Sequence, residues 1–342
     1  MIRGKTPRSV SGSPGGTTAA DRLKRNMYCS LSLFFIKLFT ILVPRRLFAP
    51  LMFFWGGLFY LLLTDARRAL RSNLRVVTGR HDVERLVFST FRMFGINWCD
   101  VMLMMRLQGT GFQTLIGRCS SGRPLEEALA AGNGAILVSP HLGNWELGGL
   151  GLAERGYTIN VLTFRETDEK VNQLREAFRL ERGVRFIYVD RHDTSPLAII
   201  EAVNALRRNE VLALLGERDG SSHKISMDFF GRPTDIPVGP AYLALASGAP
   251  VIPVFVPLEN GRYATLMDEA IYFKGGHGQH NEAIRTGMQR LMTVFERYIR
   301  QYPDQWYNFF EYWGTTQSEP SSRVTSRNSL TCNSEVQICQ KS

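Results

Sequence analysis

Several protein classes are excluded by what this sequence lacks. Its 342 residues include five cysteines, an odd number, and none forms a C-x2-C pair. No metal site or disulfide framework follows, and a reducing, cytoplasmic-side location is the simpler assumption. Acidic residues are scarce relative to basic ones, 31 against 41, for a net charge of +10. A basic balance suits nucleic acid or an anionic membrane. No RNP-like, zinc-finger or helix-turn-helix pattern accompanies the charge. The arginines flank apolar segments instead, which favours a membrane and no nucleic acid. Apolar segments are short. Leu47–Leu63 carries 17 residues without a charge, the lower limit for a membrane-spanning helix. It lies too far from Met1, and lacks the small-residue cleavage site, for a removable signal peptide. Three readings of it stay open: a dipping or spanning anchor, one half of an amphipathic interfacial pair with Leu31–Val43, or a buried core helix.

What is present, from Leu125 to Tyr298, is an alternation of strands and helices. Apolar runs bounded by turn residues predict strands at Ala135–Val138, Ile159–Phe164, Arg185–Val189, Val211–Leu215 and Val251–Val256. Helical patterns lie between them at Trp145–Glu154, Asp168–Arg182, Pro196–Arg207 and Val238–Ser247. This order predicts an α/β fold with a mostly parallel central sheet flanked by helices. Upstream, Asp65–Val77 reads as a basic helix and Val83–Leu107 as one or two helices ending in a Met-rich run. Residues 1–28 and 314–342 are polar and read as disordered tails.

The chemistry concentrates at the carboxyl ends of strands, where sites in such sheets lie. His141 follows the first strand, and Asn144 is a candidate N-cap for the helix that starts at Trp145. His141 and Glu146 are five residues apart. In one continuous helix that is about 140° round the axis. With His141 in the turn and Glu146 in the first helical turn, the carboxylate can fold back on the imidazole. A His held by a carboxylate suits general-base chemistry. No Ser lies in a G-x-S-x-G elbow here, so the expected target is a substrate hydroxyl. Backbone amides of the turn, or Asn144, are candidate oxyanion donors. A second group, Glu217-Arg218-Asp219, follows the apolar run at 211–215 and must emerge at a surface or cleft, because unpaired burial of charge is costly. Arg218 has the planar fork for a phosphate, and Asp219 can order arginines. Arg175 and Arg179 share a helix face, with Arg165 nearby in sequence.

His-Leu-Gly-Asn-Trp-Glu at 141–146 resembles the H-x4-[DE] motif of glycerolipid acyltransferases, and more closely that of the lipid A biosynthesis (lauroyl/myristoyl) acyltransferases. That family also includes the phosphatidylinositol mannoside acyltransferases. Arg-Ser-Asn-Leu at 71–74, Phe-Phe-Gly-Arg-Pro at 229–233, the Gly-Pro-Ala helix start at 239–241, Ala-Pro-Val-Ile-Pro-Val at 249–254 and Gln-Trp at 305–306 extend the similarity over residues 30–313. Tyr-Asn-Phe-Phe-Glu-Tyr-Trp at 307–313 departs from the family's usual closing cluster.

The resemblance implies transfer of a fatty acyl group from an acyl thioester, on acyl carrier protein or coenzyme A, to a hydroxyl of a glycolipid, with a lipid A precursor expected first. A lysophospholipid or a glycosylated phosphatidylinositol is the alternative acceptor, and a non-catalytic lipid-binding protein the alternative class. It implies His141 as base, Glu146 as its orienting partner, and a substrate-binding set of Asn144, Trp145, Arg165, Arg179, Glu217, Arg218 and Asp219. No metal or other cofactor is expected. The implied partners are the bilayer, the glycolipid acceptor and the thioester donor. A helical membrane-anchoring region at 29–110 would hold an acyltransferase domain at 111–313 on the cytoplasmic face of the inner membrane.

Overall fold

The computed structural model describes residues 38–104, 107, 109–164, 183–189, 196–218, 223–274 and 280–314. The predicted helix at 168–182 lies outside the described residues, as do Arg165, Arg175, Arg179, Asp219, residues 1–37 and the tail from residue 315.

After helical residues 38–42 and a 3-10 turn at Arg45–Leu47 come α1 (Phe48–Leu62), α2 (Thr64–Thr78) and α3 (Glu84–Met104). They match the predicted apolar run and the two predicted helices to within a few residues. Helix α1 packs along α3. The approach is close at Gly56, where an added Cβ would sit 3.0 Å from the Cα of Arg92. Phe48, Met52, Ile96 and Cys99 form the apolar seam between them. The outer side of α1 stays uncovered, with Phe54 at 73% and Leu61 at 66% exposure. Among the described residues no single helix is long and apolar enough to cross a membrane, and α1 and α2 meet at a bend of 99°. Helix α2 is amphipathic: Ala66, Ala69, Leu70, Leu74 and Val77 are buried, and Asn73 is buried among them.

Next come β1 (Ile116–Cys119), α4 (Arg123–Ala130), β2 (Ala135–Ser139), α5 (Trp145–Ala153), β3 (Ile159–Phe164) and β4 (Val184–Val189). They are followed by α6 (Leu197–Arg207), β5 (Val211–Leu215), β6 (Lys224–Phe229), β7 (Arg232–Pro237), α7 (Gly239–Ser247) and β8 (Val251–Phe255). The described chain closes with β9 (Leu258–Glu259), β10 (Arg262–Met267) and α8 (His280–Gln301). The main sheet runs β1-β10-β8-β2-β5-β3-β4 with β9 paired to β10. Its interior pairs β8·β2, β2·β5, β5·β3 and β3·β4 are all parallel, and β10 enters antiparallel to β8. All five residues of β2 are buried, as expected of a central parallel strand covered on both faces. The expected α/β architecture is therefore present, with a mainly parallel sheet flanked by helices. Unexpected were the β6–β7 hairpin, whose Phe230 and Gly231 turn with positive φ, and the strand β10 at the sheet's far side.

Candidate active site

Two adjacent parallel strands create the site. Strands β2 and β5 pair in register from Ala135 opposite Val211 to Ser139 opposite Leu215. The Gly216 amide continues the ladder by donating to the Ser139 carbonyl at 3.0 Å. Two residues past the strand ends, the same 76-residue offset sets His141 against Glu217. Gly216 allows the close passage: a Cβ there would lie 2.3 Å from Val138 Cγ1.

Glu217 Oε1 receives two bonds from one residue. The His141 backbone amide donates at 2.9 Å, and His141 Nδ1 lies at 2.8 Å. The Glu217 side chain is fully buried, while the His141 ring keeps 19% exposure. Burial pushes the Glu217 carboxyl up. The charge and hydrogen bond of His141, the nearby Arg218 guanidinium and the His141 amide outweigh it and hold the group below its ordinary value. An ionised Glu217 accepts from Nδ1–H, which assigns the Nδ1 tautomer and leaves the lone pair on Nε2. Arg218 Nε sits 3.2 Å from the same Nδ1. It cannot donate to a nitrogen that already carries a proton, so its role at this point is its charge beside Glu217.

The expectation was that Glu146 would hold the imidazole. At Nδ1 the partner is Glu217, a residue expected to bind substrate. Glu146 lies in the first turn of α5. Asn144 caps that helix, accepting from the Leu147 amide at 3.0 Å, and its amide nitrogen points at Met104 Sδ at 3.7 Å, so its buried side chain serves the interior. Trp145 stands edge-on to the His141 ring, centroids 5.4 Å apart. Arg218 was expected to grip a phosphate. Its Nη1 donates to Asn308 Oδ1 at 2.6 Å, and its guanidinium lies over the Phe310 ring at 4.9 Å.

The turn carrying His141 is pinned on every side. Gly143 has φ +66°, and a Cβ there would meet the Val256 carbonyl oxygen at 2.1 Å, so only glycine fits. The turn amides expected to serve as oxyanion donors are spent. His141 donates to Glu217, Leu142 to the Pro140 carbonyl, Gly143 to that of Gln305 and Asn144 to that of Val256. The His141 carbonyl accepts from the Tyr307 amide at 2.8 Å. The Gln305 side chain clamps both backbone groups of Leu258.

Sequence reasoning missed the strap at 305–312. Asn308 holds Arg218, and the Tyr312 hydroxyl donates to the Glu217 carbonyl at 2.6 Å. The strap is tied in turn to α2 by buried Asn73. Its amide donates to the carbonyls of Asn308 and Phe310, and its oxygen accepts from the Tyr312 amide. The signal was available in Arg-Ser-Asn-Leu and Gln-Trp, both noted as motifs, but nothing in their spacing joins residues 235 positions apart.

Glu217→Gln keeps the shape and removes the charge that fixes the tautomer. Turnover should fall by about 100-fold or more, in a steady-state assay on the folded variant; unchanged kcat would remove Glu217 from the proton path. The pH dependence has a definite sign. A carboxyl whose folded pKa is depressed stabilises the fold above its unfolded pKa and loses that contribution as pH falls through the folded value. Wild type should therefore lose more stability than Glu217→Gln below the ordinary carboxylate range, as thermal melts across acid pH would reveal. Gly143→Ala should cost about 1–3 kcal/mol from the strained φ alone, more from the clash, and abolish activity by displacing His141. A variant with wild-type melting temperature and rate would disprove that geometry.

The sequence profile of the bacterial lipid A biosynthesis acyltransferases matches residues 17–315. A phosphatidylinositol mannoside acyltransferase of Mycobacterium tuberculosis (strain ATCC 25618 / H37Rv) is 28% identical over 254 residues, 73% of this chain and 78% of that protein. One of Mycolicibacterium smegmatis (strain ATCC 700084 / mc(2)155) is 27% identical over 189 residues, 55% of this chain and 60% of that protein. An imidazole held by a buried carboxylate at the end of a parallel strand, in a chain matched over most of its length, has one consistent reading: the chain belongs to the bacterial lipid A biosynthesis acyltransferase family and is an acyltransferase acting on lipid substrates.

Proposed function

We propose that the enzyme transfers a fatty acyl group from an acyl thioester, carried on acyl carrier protein or coenzyme A, to a sugar hydroxyl of a glycolipid, with His141 as general base. The observation that carries this reading is the hydrogen bond of His141 Nδ1 to the buried carboxylate of Glu217. It commits Nε2 to proton transfer. The acceptor oxygen gives its proton to Nε2 as it attacks the thioester carbonyl. Glu217 stabilises the imidazolium formed. When the tetrahedral intermediate collapses, the carbon–sulfur bond breaks and the same proton leaves with the thiol. Metal and prosthetic groups have no part in this sequence. The N-terminus of α5 starts four residues after His141, and its positive end has the right sign to favour the oxyanion. Glu146, in that first turn, remains a proposed second carboxylate for the imidazolium. Arg165, Arg179 and Asp219 remain proposed substrate contacts, and Trp145 a wall against the ring.

Among glycolipids, the names of the matched relatives favour a mannosylated phosphatidylinositol over a lipid A precursor. Either is amphiphilic, so the enzyme must work at a lipid surface. The outward face of α1, with Phe53, Phe54, Trp55, Leu58, Phe59, Leu61 and Leu62 all 42% exposed or more, is the proposed membrane seat. It would lie in the interface on the cytoplasmic side of the inner membrane.

His141→Ala should lower kcat by at least ~100-fold, the lower range for a positioned general base. The check is transfer of labelled acyl groups to phosphatidylinositol mannoside and to a lipid A precursor by the purified variant. Near-wild-type rates would remove His141 from the mechanism. Replacing Phe54, Leu58 and Leu61 together by Ser should release the protein from membranes. Those side chains are exposed, and transferring each from water contributes up to about 1.5–3 kcal/mol. If the triple variant still sediments with membranes at high salt, the seat lies elsewhere.

A further inference from the structure

On the face of α2 turned away from Asn73 lies a cleft of about 410 Å³ lined by Arg68, Arg71, Ser72, Arg75, Val76 and Arg232. Five of the six come from α2, at spacings of three and four residues that place them on one side of the helix. The sixth, Arg232, arrives from the β6–β7 turn, more than 150 residues later in the chain. Two unrelated elements thus bring four guanidiniums to one concavity. Carboxylates lie near both parts of the cleft and are already engaged: beside Arg232, Asp228 accepts from the Gly231 amide and Glu296 from the Phe230 amide. Glu84 is held by Arg71 through Nε and, at 3.0 Å, through Nη2, and by the Tyr60 hydroxyl. Asp65 pairs with Arg68 at 3.3 Å on the surface. Arg75 spends only Nε, on the His81 carbonyl at 3.0 Å. No described carboxylate pairs with Arg75 or Arg232. The cleft is therefore a site of net positive charge built from planar forks, the geometry that takes a phosphate through paired N–H donors.

Its position selects the source of the phosphate. Helix α2 begins two residues after α1 ends, and α1 carries the uncovered apolar face. Apolar side chains and guanidiniums in adjoining helices match the two layers of a lipid surface, acyl chains and headgroup phosphates. We propose that Arg68, Arg71, Arg75 and Arg232 form a binding site for the headgroup phosphate of an anionic phospholipid, separate from the His141 centre. The site deepens the membrane reading of α1 and does not depend on the identity of the acyl acceptor.

The test is flotation of the full-length protein with vesicles of phosphatidylcholine alone and of phosphatidylcholine mixed with phosphatidylglycerol. Wild type should bind the mixed vesicles more tightly, with an increment that salt diminishes. Arg75→Glu combined with Arg232→Glu should reduce affinity for mixed vesicles about tenfold or more. It should leave binding to phosphatidylcholine alone, and turnover of detergent-dispersed substrate, at wild-type levels. Arg75→Ala and Arg232→Ala should each give a part of the loss, which guards against a misfolded double variant. Charge reversal at Arg155 and Arg207, exposed arginines on other elements, should have a much smaller effect. The proposal is overturned if the double variant keeps the anionic increment, or if the Arg155 and Arg207 reversals remove as much of it. It is equally overturned if wild type shows no increment. Isothermal titration with inorganic phosphate and with coenzyme A separates a soluble source. Tight binding of either, lost in the double variant while vesicle binding persists, would assign the cleft to a soluble phosphate and overturn the lipid assignment. Loss of neutral-vesicle binding on substituting α1, with the anionic increment kept, would separate the two parts of the membrane reading.

Discussion

The structure depends on one buried charge. Glu217 is fully enclosed, and an isolated carboxylate there would be costly to ionise. It is kept ionised because His141 and Arg218 outweigh the effect of burial. The imidazole and amide of His141 donate to the same oxygen, and Arg218 stands beside them. The imidazole is oriented by the same contacts. The β2–β5 register decides whether the two groups meet. A one-residue slip of either strand would turn its side chains to the opposite face and separate the imidazole from the carboxylate.

The rest of the fold can be understood as holding that pair still. The turn after β2 is tied to β8's end by Asn144 and to the strap by Gly143 and His141. The strap, in turn, holds Arg218 through Asn308 and the Glu217 carbonyl through Tyr312. Asn73 anchors the strap with three bonds to its backbone. This is why a helix that presents arginines on one face carries a buried asparagine on the other. The same fifteen residues face the dyad's support on one side and solvent on the other.

How much of this was legible in the sequence follows from the range of each interaction. The strands β2, β3 and β5 are continuous apolar runs between turn residues, and their predicted limits lie within a residue of those observed. Their hydrophobicity is local and needs no partner to be read. His141 was legible for the same reason, since an imidazole between a buried strand and a capped helix stands out. Glu217 was visible as a charge after a strand, but its role was not. That role requires knowing that β2 and β5 are neighbours, and sheet order is not encoded in the spacing of either segment. Glu146 is near His141 in sequence, whereas Glu217 is brought to Nδ1 by the sheet; local reasoning reads only the first. Asn308, Tyr312 and Asn73 were hidden more deeply, because their partners are backbone groups far along the chain, which leave no residue-type signal.

The distinction also bears on Arg218. An arginine following a strand in a basic protein invites a phosphate-binding role, and its planar fork is suited to one. Here the fork is engaged in part. One arm bonds Asn308, Nε faces the imidazole, and the flat face lies over Phe310. An arginine committed in three directions is rigid, and rigidity is what a charge needs if it is to tune a neighbour. A mobile cation averages its field over solvent, whereas a fixed one beside a buried carboxylate acts at nearly constant distance in a medium that screens weakly. Arginines engaged only in part, Arg75 through Nε alone and Arg232 without a described carboxylate, lie instead on the outer face of α2 and at the start of β7. The chain thus separates two settings of the same side chain, one interior and held beside the imidazole and its carboxylate, the other at the surface.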